Sequence, residues 1–109
     1  MDYQVTLTPQ AIEQIRETML YIAQTLGAPQ TANHWARLLY KEIAGLHFMP
    51  SRYPLTDEEP WHTNGIHKMP VKNFLVYYWI DEENKCVCVT AVIYGRRDQL
   101  AALANDVQN

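Results

Sequence analysis

A chain of 109 residues that is 48% apolar and 19% charged, with a formal net charge of −3, is long enough for one domain that buries roughly two thirds of its unfolded surface. The composition excludes a disordered or low-complexity protein, and the negative balance excludes a surface that grips nucleic acid all over, though not a local basic site. No leader pattern opens the chain and no apolar run approaches the roughly 18 residues of a membrane span, so the expectation is a cytoplasmic protein.

In chain order, Tyr3, Val5 and Leu7 alternate with polar residues, as in a half-buried strand. Thr8-Pro9 then caps and starts a helix, and Ile12, Ile15, Met19, Ile22 and Leu26 recur at helical spacing. Gly27 and Pro29 end it, and Ala32, Trp35, Ala36, Leu39, Ile43 and Leu46 form the stripe of a second helix. Two apolar stripes joined by a short connection predict a helix hairpin lying on a sheet. Residues 50–65 break the pattern with three prolines and an acidic run, Asp57-Glu58-Glu59; Tyr53, Leu55 and Trp61 are expected to tack this long loop down.

Three strands follow as an antiparallel meander: Ile66 to Val71, Phe74 to Ile80, and Cys86 to Tyr94. Pro70 cannot donate to a ladder and places the first of them at an edge or a bulge. The middle strand is apolar on both sides, with Phe74, Val76, Tyr78 and Ile80 on one face and Leu75, Tyr77 and Trp79 on the other. One helix hairpin covers one face. The second face calls for a partner or for the short C-terminal segment, in which Asp98 caps a stripe of Leu100, Leu103 and Ala104. Phe74, Leu75, Tyr77, Trp79 and Tyr94 are the candidate partner-binding residues. Cys86 and Cys88, two apart on one strand, read as small core residues rather than as a redox or zinc motif.

The last strand delivers Arg96 and Arg97 next to a helix start, where guanidinium forks and free N–H groups suit an oxyanion or phosphate. Arg97 paired with Asp98 as a structural bridge fits the same residues. His67, Lys68 and Lys72 on or near the edge strand join them if they project to one side. Arg97, Arg96, His67 and Lys68 are therefore the candidate activity residues. The four histidines have no metal-ligand spacing, and four glycines make no phosphate loop, so neither a metal nor a cofactor is expected.

The element order β-α-α-β-β-β and the run from Gly65 to Asp98, G-I-H-K-M-P-V-K-N-F-L-V-Y-Y-W-I-D-E-E through V-I-Y-G-R-R-D, resemble the RelE/ParE superfamily of toxins from bacterial type II toxin–antitoxin, or plasmid-stabilisation, systems. The likeness extends from Tyr3 to about Leu100 and includes T-P-Q-A after the first strand and L-H-F-M-P after the second helix. It implies an α+β fold over residues 1–109 and a cytoplasmic toxin neutralised by a cognate antitoxin.

Two activities are implied: ribosome-dependent cleavage of messenger RNA, as in RelE, and inhibition of DNA gyrase, as in ParE. In the resemblance Arg97 matches the terminal-strand arginine and Lys68 a basic residue of the first meander strand. Leu75 stands where the nucleases carry arginine, His67 where the gyrase branch carries arginine, and Gln99 to Asn109 holds no Tyr, His, Lys or Arg. The ParE-like reading is favoured over the endoribonuclease, with a non-toxic module that retains only antitoxin binding as a third class.

Overall fold

The computed structural model describes residues 2–95; Arg96, Arg97, the Asp98 cap and the Leu100–Ala104 stripe lie outside them. Strand β1 (Gln4–Leu7) leads into helix α1 (Pro9–Leu20), and α2 (Pro29–Ala44) precedes β2 (His67–Val71), β3 (Phe74–Asp81) and β4 (Cys86–Tyr94). The strands form one mixed sheet in the order β1-β4-β3-β2, with β1 parallel to β4 and the other pairs antiparallel. Together with two helices this is the α+β architecture that the sequence predicts, with Pro70 on an edge strand.

Thr8 starts α1 as expected. Its Oγ1 accepts the N–H of Ala11 at 3.1 Å, and the same hydroxyl donates to the carbonyl of Thr90 at 3.1 Å. The cap thereby ties the helix start to β4. The buried face of α1 and the turn after it keeps Ile15 and Ile22 of the predicted stripe and adds Ala11 and Thr18, whereas Ile12 and Leu26 are each 50% exposed. Alanine lets the helix approach the sheet closely, and Thr18 is buried at little cost because its hydroxyl donates to the carbonyl of Gln14 at 2.8 Å. The final turn also departs from α geometry, because Tyr21–Thr25 is a π-helical segment. Leu26 N–H reaches back to Tyr21 O at 3.1 Å, Gly27 turns the chain at φ 64°, and Leu26 is carried outward.

The helices cover one face of the sheet, where Phe74, Val76, Tyr78, Val87, Val89, Val92 and Tyr94 are buried with Leu39, Ile43 and Leu46. Trp35 of α2 joins the layers, edge-on to Phe74 at 6.0 Å and tilted over Tyr94 at 5.6 Å. A bulge between Tyr77 and Tyr78 inserts one extra β4 residue, so Val87 and Val89 share a face with Val92 and Tyr94. The valines take the core side of β4. Cys86 and Cys88 consequently stand half-exposed on the opposite face, as free thiols and not as core residues.

Candidate functional site

The sheet face that the described helices leave uncovered carries four of the nine predicted site residues. By strand alternation Lys68, Leu75, Tyr77 and Trp79 share it, with Lys68 opposite Tyr77 and Leu75 opposite Ile93. Trp79 is 38% exposed. Phe74 and Tyr94, predicted for the partner surface, are instead buried under Trp35, with their rings 5.1 Å apart. They belong to the opposite side of the pleat and serve the core.

His67 and Lys68 do not form one basic patch. His67 points to the helix-covered face, stacked on Tyr78 with ring centroids 5.2 Å apart, and its Nδ1 lies 2.7 Å from Tyr53 O. Lys72 sits at the β2–β3 turn with φ 56°. Tyr78 itself is fully buried and donates to Pro50 O at 2.5 Å. Burial pushes its phenol up to about 12. Arg96 and Arg97 lie outside the described residues.

The proline-rich loop between α2 and β2 borders the same face. Thr56 N–H bonds to Ile66 O at 2.7 Å and Lys68 N–H to Pro54 O at 3.0 Å, which seats the loop on the β2 edge. Between this loop and α1 runs a groove of about 620 Å³, floored by Tyr77, Ala91 and Ile93 and walled by Gln10, Thr56, Glu58 and Trp61. Trp61 does not tack the loop down, since it is 50% exposed at the groove. Thr56 is 2% exposed, and its hydroxyl has no hydrogen-bond partner among the described residues. Glu59 is held by Thr63, whose N–H and hydroxyl reach its carboxylate at 2.9 and 2.8 Å and lower its pKa. No such contact engages the Glu58 carboxylate among the described residues.

Sequence reasoning missed Thr56, Glu58 and Gln10. An acidic run followed by tryptophan in a proline-rich loop was the available signal. Among the described residues no three His, Cys, Asp or Glu side chains are placed to hold a metal, and no helix is long and apolar enough to cross a membrane.

A family model described as "ParE toxin of type II toxin-antitoxin system, parDE" matches residues 5–99. The chain belongs to the ParE toxin family. No curated protein matches this ParE-family chain. Solved structures share its fold at low identity. A chain of the chromosomal ParDE system from P. aeruginosa superposes with TM-score 0.69 at 12% identity, covering 84% of this chain and 95% of that one. The RelBE2 toxin–antitoxin complex from Mycobacterium tuberculosis gives 0.61 at 18% identity, with 86% and 99% covered. The archaeal RelE–RelB complex from Pyrococcus horikoshii OT3 gives 0.56 at 12%, with 87% and 97% covered.

Proposed function

We propose that this ParE-family protein is the growth-arresting toxin of its module, held inactive in the cytoplasm by a cognate antitoxin, and that it inhibits DNA gyrase without cleaving RNA. The observation that carries this reading is the separation of His67 from Lys68. Phosphodiester cleavage needs an acid or base and charge-stabilising donors within hydrogen-bond reach of one phosphate. His67 is engaged by Tyr53 and Tyr78 on the covered face, whereas Lys68 is on the open one. Among the described residues Lys68 is the one cation at a strand position of that face, and Leu75 gives the middle strand a hydrocarbon there.

Induction in a growing culture tests the reading. Gyrase supercoiling is expected to be inhibited or cleaved-DNA complexes to accumulate, while the 5′ ends of translated messages stay unchanged in primer extension. Codon-phased cuts would make the protein a ribonuclease instead. Arg97 matches the family's terminal-strand arginine, so Arg97→Ala is expected to abolish growth arrest, and a fully toxic variant would remove that residue from the assignment.

A further inference from the structure

We propose that Cys86 and Cys88 form a two-thiolate site for a soft monovalent cation, Cu(I), on the open face of β4. The two thiols stand one pleat apart on the same side of the strand, half-exposed and free. Strands β1 and β3 hold β4 from both sides at these positions, with Cys86 between Gln4 and Asp81 and Cys88 between Thr6 and Trp79. The backbone beneath the thiols is therefore fixed.

That spacing decides what the pair can do. Two residues of strand separate the Cα atoms, and with them the same-face Cβ atoms, by about 6.6 Å, whereas a disulfide needs its Cβ atoms about 3.8 Å apart. The pair cannot close on itself. A linear thiolate–metal–thiolate bridge with bonds of about 2.3 Å spans about 4.6 Å between sulfurs, so each Sγ leans only about 1 Å along the strand to reach the ion. Among the described residues no third His, Cys, Asp or Glu joins them, so a tetrahedral zinc lacks its ligands. Two soft thiolates suffice for Cu(I).

The surroundings favour a cation. Asp81, across from Cys86, is kept ionised by the backbone N–H and the side-chain amide of Asn84 at 3.1 and 2.8 Å, and Glu82 and Glu83 follow it. Lys85, the residue before Cys86, is turned to Glu82 at 3.2 Å and to the Tyr3 ring. Trp79, across from Cys88, is 38% exposed and brings an indole within cross-strand reach of the ion. On binding, each thiol gives its proton to solvent as its sulfur bonds the metal, so two protons leave per ion and the copper stays Cu(I).

The full chain is titrated anaerobically with Cu(I) held by bicinchoninate, whose colour reports the copper withdrawn. One equivalent is expected to transfer, and Cys86→Ser or Cys88→Ser alone is expected to weaken binding roughly a hundredfold. Parent-like affinity in either variant, or two equivalents per chain, would overturn the site. A second measurement needs no variant. Cu(I) is expected to protect both thiols of the parent from N-ethylmaleimide, counted by mass spectrometry, and protection of one thiol or of neither would overturn the proposal as well. Copper is also expected to quench Trp79 fluorescence, a quench that Trp79→Phe abolishes while one equivalent still transfers. A quench unchanged in that variant would put the ion beside Trp35 or Trp61 and end the assignment.

Discussion

Gln14 of α1 accepts a hydrogen bond from the backbone N–H of Val92 at 2.8 Å, so a helix side chain substitutes for a neighbouring strand. β1 stops at Leu7 while β4 continues to Tyr94. Thr8 meets the carbonyl of Thr90 and Gln14 meets the N–H of Val92, which closes the stretch of β4 that β1 leaves open.

Gln14→Leu is expected to leave the Val92 N–H without its partner and to cost about 1–3 kcal/mol. Gln14→Glu keeps an acceptor in place and should recover most of that loss. Urea denaturation of the two variants beside the parent checks this, and a Gln14→Leu chain as stable as the parent would mean that solvent replaces the bond.

Tyr78 predicts an alkaline weakness. Its phenol is raised from 10.0 to about 12 by burial, so the folded state favours the neutral form. Below the unfolded value both states are protonated and the full contribution is present. As pH rises from about 10 to about 12 the unfolded chain ionises first, and stability falls by about 2–3 kcal/mol. Tyr78→Phe should remove that part of the decline while costing about 0.5–1.5 kcal/mol at neutral pH through loss of the bond to Pro50. Denaturant midpoints at neutral pH and across the alkaline window are the measurement.

Phe74 and Trp79, five positions apart on one strand, should separate folding from binding. Phe74→Ala removes a buried ring from the Trp35–Tyr94 cluster and is expected to cost about 3–5 kcal/mol. Trp79→Ala should barely change the Tm and should weaken the complex with the cognate antitoxin. An intact complex with Trp79→Ala would remove this part of the open face from the interface.

His67→Ala is expected to lose about 1–2 kcal/mol with the contacts to Tyr53 and Tyr78, and cells should still arrest growth. Lys68→Ala should stay within about 0.5 kcal/mol of the parent. A stable but harmless His67→Ala chain would move the imidazole into the chemistry.

The faces of β3 were legible because a period of two sorts Phe74, Val76 and Tyr78 from Leu75, Tyr77 and Trp79 before any partner is known. Thr8-Pro9 and Pro70 were legible because cap and edge are local consequences of a hydroxyl and of a missing N–H. The buried side of α1 was legible only in Ile15 and, just past it, Ile22: Ala11 and Thr18 are inside through close approach and a back-bond, neither of which hydropathy registers. The side of β4 that carries Cys86 and Cys88 depends on its register with β3. The groove was invisible because Gln10 and Thr56, distant in sequence, come to line one space only once α1 lies along β4. No periodic signal marks the 56–66 loop.

The outer rim of β2 has a consequence for the free chain. Pro70 has no N–H, and the N–H of Lys68 is given to Pro54 at 3.0 Å. At these positions the rim offers an incoming strand carbonyl acceptors but no donor, which halves the ladder bonds it could form. Copies of the chain that collide along this border therefore gain few of the bonds that would template edge-to-edge growth.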